Sequence, residues 1–264
     1  IPTLAVEFGA QAIFASQEAT SEEVAVEVAL RRNLAAIDRT LNLYWGATLF
    51  HPSDLPFKSI AELPEVFTEF RKAVEKRSRI RAMIAAPLNL TKPSIEPGTI
   101  PTMEELGLPK TASDSRAVLP FAGGETGGMA RLRHYIWTAD CLKNYKETRN
   151  GMLGADYSSK FSAWLALGCL SPRFIWSEVQ RYERERVSNQ STYWLVFELL
   201  WRDYFRFIAR KHGRAIFLKG GIQGRRWAGS FAAETFQRWK DGTTGWPMVD
   251  ANMRELAATG FMSN

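Results

Sequence analysis

Residues 191–213 read STYWLVFELLWRDYFRFIARKHG, a 23-residue helical run that decides how the chain is built. Trp194, Glu198 and Trp201 fall at i, i+4 and i+7 and so share one helical face. Two indoles around a carboxylate make a poor surface, because aromatic area is left in water, and a poor core, because a buried charge must find a partner. The stripe suits the wall of a pocket that receives something flat and able to donate or accept hydrogen bonds. Arg202 and Arg206 follow it, and on an amphipathic helix Arg202 can equally pair with Asp203 or a neighbouring helix.

Around this run, 264 residues at 45% hydrophobic content are enough for one large core or two modest ones, which excludes disorder as the default. The net charge of +6 favours an anionic partner only weakly, since many enzymes carry as much without touching nucleic acid. Cys141 and Cys169 sit in apolar helical sequence and read as buried free thiols, and no metal site is legible. No run of about 18 apolar residues occurs, so neither a span nor a membrane partner is expected. Both ends read as cuts in a longer protein.

The first 85 residues read as α/β. Ala12 to Ser16 and Leu41 to Leu49 are expected strands, the first apolar enough for a parallel sheet covered on both faces. Between them Thr20-Ser-Glu-Glu23 is an expected capping box opening a helix through about Ile37, giving a β-α-β unit with no glycine-rich phosphate loop. Residues 86–122 carry Pro87, Pro93, Pro97, Pro101 and Pro109 without hydrophobic periodicity, which marks a linker. Beyond it, residues 123–264 read as all-α and unfinished at the C-terminus, with helices expected at 130–146, 160–168, 172–187, 191–211, 232–241 and 249–258.

Three other segments carry chemistry on more than one reading. In Asp156-Tyr-Ser-Ser-Lys-Phe-Ser162, adjacent hydroxyls before a helix can cap it or, with Lys160, hold a phosphate or pyrophosphate. The basic stretches Arg210-Lys-His-Gly-Arg214 and Gly220-Gly-Ile-Gln-Gly-Arg-Arg-Trp227 are either solvated surface or a single-strand contact. Gly245-Trp-Pro247 fixes a tight turn after which Asp250 can cap while Arg254 reaches a carboxylate.

That last segment, together with YKETRN at 145–150, YSSKFS at 157–162, LGCLSPR at 167–173 and FELLWRDYFR at 197–206, closely resembles the photolyase/cryptochrome family and its cryptochrome-DASH branch, continuously and in order. The resemblance implies an α/β antenna domain, a connecting loop and a helical domain that holds flavin adenine dinucleotide (FAD). Tyr145, Ser158, Ser159 and Ser162, with the backbone at Lys160 and Phe161, resemble the positions holding the flavin phosphates. Trp194, Glu198, Trp201 and Arg202 resemble the cavity wall and cofactor surround, with Glu198 at the lesion's base edge and Trp201 against the flipped pyrimidine dimer. Asn264 resembles a residue at the cavity floor, and Trp227 is a candidate outer member of the family's tryptophan chain.

The implied activity is blue-light-driven repair of cyclobutane pyrimidine dimers by a monomer acting on single-stranded or looped DNA, with RNA as a further partner and a folate (5,10-methenyltetrahydrofolate) as antenna. The family's remaining flavin contacts come from positions past Asn264, so the chain by itself is expected to hold FAD poorly. A photoreceptor or nucleic-acid-binding regulator without turnover, and an inactive fragment, are the alternatives.

Overall fold

The computed structural model describes residues 1–90, 95–96, 98–109, 114–226 and 228–262. In chain order the elements are α1 (Pro2–Glu7), β1 (Ala12–Ser16), α2 (Ser21–Ala35), β2 (Thr40–Tyr44), α3 (Phe67–Arg77), α4 (Gly124–Arg133), α5 (Tyr145–Thr148), α6 (Ser162–Ala166), α7 (Pro172–Glu185), α8 (Gln190–His212), α9 (Ala233–Lys240) and α10 (Pro247–Thr259). Short 3-10 turns and one π-helical turn, His134–Thr138, join several of them. The fold is thus mostly helical with a small parallel sheet. Its described residues pack as two compact units, 1–82 with 122–151 and 156–229, and 83–121 with 152–155 and 230–264.

In the first unit β1 and β2 pair in parallel, with Ala12 opposite Thr40 and Ser16 opposite Tyr44. Ala5, Leu34 and Leu41 are buried beneath α1 and α2. The sheet is covered on that side, whereas Phe14 and Tyr44 stack at 6.2 Å with 66% and 61% of their surface exposed. The expectation of cover on both faces is therefore corrected. The capping box is corrected as well: the Thr20 hydroxyl donates to the Glu23 carboxylate and caps no backbone N–H, while Glu22 and Glu23 still meet the positive end of the α2 dipole.

β2 stops at Tyr44, short of the expected Leu49, because the next backbone groups are claimed elsewhere. The N–H groups of Leu49 and Phe50 donate to the two oxygens of Asp203 at 3.0 Å each, and Thr48 takes the Trp45 indole N–H at 2.6 Å. Trp45 stacks on Phe207 at 5.9 Å, and the Arg210 guanidinium lies over the Trp45 ring at 5.1 Å from its centroid. One stretch of α8 thereby grips the whole 45–50 loop.

Apolar spacing builds the helical core around α8. Leu195, Leu199, Leu200 and Phe207 are buried with Phe70 and Val74 of α3 and with Ile175, Val179 and Tyr182 of α7. Asn189 caps α8 by accepting from the N–H of Ser191 and Thr192 at 2.8 and 3.0 Å, and Thr192 returns the bond to the Asn189 N–H at 3.1 Å. Arg210, Lys211 and His212 lie in its last turn, where the dipole favours cations.

The single helix expected over 130–146 is broken. Asp140 sits in the left-handed region at φ 55°, held there by Lys143 at 2.6 Å, the Tyr182 hydroxyl at 2.7 Å and Arg186 at 2.6 Å. Those bonds outweigh helical continuation and redirect the chain into α5.

In the second unit the proline-dense stretch contains no helix or strand among its described residues. Asp250 accepts from the Thr244 N–H and hydroxyl at 2.8 and 2.6 Å and from the Gly245 N–H at 3.0 Å, which ties the turn before α10 to its first turn. Gly242, at φ +62°, leaves no room for a side chain, since a Cβ there would lie 2.8 Å from the Asp250 carbonyl oxygen.

Candidate functional site

The stripe expected along α8 divides. Trp194 and Glu198 turn toward α5, whereas Trp201 and Arg202 turn toward α3 and the 45–50 loop.

On the α5 side, one short helix presents Tyr145, Lys146 and, just past its end, Arg149. The Arg149 guanidinium bonds Glu198 at 2.9 Å, and both side chains are part-exposed. Arg149 and Lys146 also lie over the Trp194 ring, at 5.8 and 4.9 Å from its centroid. Burial pushes the Glu198 carboxyl above its usual range against the pull of the Arg149 charge. The buried Trp194 N–H leans toward that carboxylate enough to favour its charged form, yet reaches hydrogen-bond geometry with no group. Tyr145 is pushed up to about 12, first by burial and then by the Glu198 charge, with the Ser159 hydroxyl acting in the opposite direction. Tyr145, Ser159, Glu198 and Trp194 are therefore one neighbourhood, although α8 lies well beyond α5 and the 156–162 segment in sequence.

The 156–162 segment is held from below by a residue that sequence reasoning missed. Arg131, only 6% exposed, donates to the carbonyl oxygens of Ser159 and Ser158 at 3.0 Å each and to Asp156 at 2.7 Å. Burial alone would raise Asp156, but the bonds from His134 and Arg131 hold it low. With its carbonyls tied down, the segment is free to turn its hydroxyls elsewhere. Lys160 is 5% exposed at φ 55°, its ammonium 3.3 Å from the Ser158 hydroxyl and 3.2 Å from the Tyr157 ring centroid. Phe161 is buried edge-on against Tyr135, and Ser162 opens α6 without a side-chain cap bond. Hydroxyls, an ammonium and a buried indole N–H are donors suited to the oxygens of a phosphate-bearing cofactor.

On the other side, Trp201 stacks on Phe67 of α3 at 3.5 Å with an interplanar angle of 13°, and packs against Phe205 at 5.4 Å. Phe197 links the two clusters, 4.8 Å from Trp194 and 6.5 Å from Trp201. Arg202 donates to the carbonyl oxygens of Ala47 and Leu165, and burial lowers its proton affinity. Asp203, wholly buried, is pushed up to about 7 by desolvation in spite of its two N–H donors.

Other sequence candidates are spent or elsewhere. Lys211 and His212 pair with Glu65 at 2.6 and 3.0 Å. Cys141 and Cys169 are free and half-buried, and no metal-holding cluster occurs among the described residues. No helix among those residues is long and apolar enough to cross a membrane. Asn264 and Trp227 lie outside the described residues.

Residues 194–264 match the family model described as the FAD binding domain of DNA photolyase, and residues 1–92 match the DNA photolyase model. The whole chain is 55% identical to Cryptochrome DASH of Gloeobacter violaceus, covering 53% of it, and 50% identical to "Cryptochrome DASH, chloroplastic/mitochondrial" of Arabidopsis thaliana, covering 47%. The chain belongs to the photolyase/cryptochrome family. Its place is in the DASH branch, and the solved Synechocystis cryptochrome superposes on the entire chain with a TM-score of 0.95 at 54% identity, the chain covering 55% of that structure. The chain spans about half the length of the curated relatives it matches.

Proposed function

We propose that the full-length protein of this chain holds FAD and uses blue light to repair cyclobutane pyrimidine dimers, chiefly in single-stranded or looped DNA, with RNA as a second partner, acting as a monomer, the residues here supplying part of the flavin site. In this reading residues 1–85 are the α/β antenna portion, with a folate as second chromophore, 86–122 the connector, and 123–264 the helical flavin portion. The observation that carries it is the convergence of Tyr145, Ser159, Trp194 and Glu198 beside the Lys160 segment, where donors for an anionic cofactor adjoin one half-buried carboxylate.

FAD, when bound and reduced, supplies the light-excited electron that opens the dimer. The chain's own residues bind and orient. Ser158, Ser159, Ser162 and Lys160, on backbone held by Arg131, hold phosphate oxygens, with Tyr145 and Phe161 closing that side. Glu198 accepts from a base-edge N–H, a contact that matters most as charge develops on the base. Single-stranded substrate suits this chemistry because flipping a base out of it costs little.

The test is illumination of the flavin-loaded protein with a dimer-containing single strand, following recovery of intact bases. Light-dependent recovery that slows in Glu198→Gln supports the reading. Absence of light-dependent recovery in a flavin-loaded parent protein rejects it.

A further inference from the structure

Resting on the base-edge role proposed for Glu198, we infer that Arg149 is a positioning residue that holds the Glu198 carboxylate ionised and turned as a hydrogen-bond acceptor toward the ligand.

The geometry is specific. Arg149 follows Tyr145 by one helical turn, so α5 delivers the tyrosine and the guanidinium to the same side. One guanidinium nitrogen reaches Oε1 of Glu198 at 2.9 Å while the guanidinium carbon lies 5.8 Å from the Trp194 centroid, so the plane of the indole braces the arginine that braces the glutamate. The Arg149 contact is to Oε1, and a carboxylate has further lone pairs with which to take a second donor.

The remaining groups around Glu198 do not replace this contact. Lys146 of α5 sits over the Trp194 ring and bonds Gln190. Tyr145, a neutral phenol, gains nothing from a nearby negative charge. Arg202, one turn further along α8, is committed to the carbonyls of Ala47 and Leu165. The cation that favours a charged Glu198 in its half-buried position is therefore Arg149.

The experiment follows the Glu198 carboxyl by carbon NMR in glutamate-labelled protein, assigned by its loss in Glu198→Gln, with the pH profile of light-driven repair measured beside it. In Arg149→Met the titration midpoint is expected to rise by about one unit or more, a roughly tenfold gain in proton affinity. Arg149→Lys should restore most of it, and repair by Arg149→Met should fail at a higher pH on the acid side than repair by the parent. Arg149→Gln serves as a second neutral variant, with melting curves to establish that each protein is folded. An unmoved Glu198 titration in folded Arg149→Met or Arg149→Gln overturns the inference. A moved titration with repair unchanged in both Arg149→Met and Glu198→Gln instead overturns the base-edge role and leaves the ionic hold standing.

Discussion

The two sides of α8 differ in how completely their polar groups are satisfied. Toward the 45–50 loop, Asp203 has a backbone donor on each oxygen and Arg202 an acceptor on each arm, and Trp201 is stacked on a neighbour. Toward α5, a buried indole N–H makes no hydrogen bond and a carboxyl sits half-buried with one oxygen bonded to a single arginine. A helix that serves only packing would finish both sides, because an unmade buried hydrogen bond costs about 1–3 kcal/mol. The finished side fixes the helix in place, and the unfinished side is where a ligand can complete the bonding.

The comparison can be broken by measurement, starting where the effect is largest. Asp203→Ala strands the N–H groups of Leu49 and Phe50 in the core, so unfolding titrations should show a loss of about 2–6 kcal/mol, while Asp203→Asn, keeping one acceptor, should lose less. A loss below about 1 kcal/mol would mean that the loop relaxes to water and that this side is not finished by Asp203. Trp201→Ala removes a stacked, half-buried indole and should cost about 2–3 kcal/mol in the same assay, below the range for a fully buried tryptophan.

The brace behind the ligand side is sharpened by pH. Lys143, then Tyr182 and Arg186, bring the Asp140 carboxyl down to about 2, below its unfolded value near 4. A depressed acid contributes stability that is present above the unfolded value and is lost as pH falls through the folded one, so melts should weaken between about pH 4 and 2. Asp140→Asn should flatten that decline, and an unchanged slope would remove Asp140 from the account. The smallest effect is expected for Trp194→Phe: the lost indole area is offset by removing an unsatisfied buried donor, giving a change under about 1 kcal/mol. A larger loss would show that the Trp194 N–H is satisfied after all.

Local pattern made much of this legible. β1 spans the expected residues, and α7, α8 and α9 lie within a few positions of expectation, because apolar periodicity and caps are properties of neighbouring residues. What stayed hidden was set by distant partners. Asp140 leaves the helix for Tyr182 and Arg186, 42 and 46 residues on, and the expected end of β2 yields to an aspartate more than 150 residues away. The stripe on α8 was readable as a shared face, but its division depends on Phe67 and Arg149, which spacing within one helix cannot report. Arg131, an ordinary basic residue in sequence, gave no sign of the buried bonds that hold the 158–159 backbone.

We propose that Trp201, engaged with Phe67, serves packing and Glu198 the ligand, against the lesion-stacking role that the resemblance implies for Trp201. This division is tested most directly by titrating a dimer-containing single strand into flavin-loaded Trp201→Ala protein, well below its melting temperature. The account predicts an affinity within about 3-fold of the parent, since the ring is engaged with Phe67. A loss of roughly 5- to 150-fold in folded protein, the range expected when a base loses its stacking partner, would contradict it and return Trp201 to the ligand.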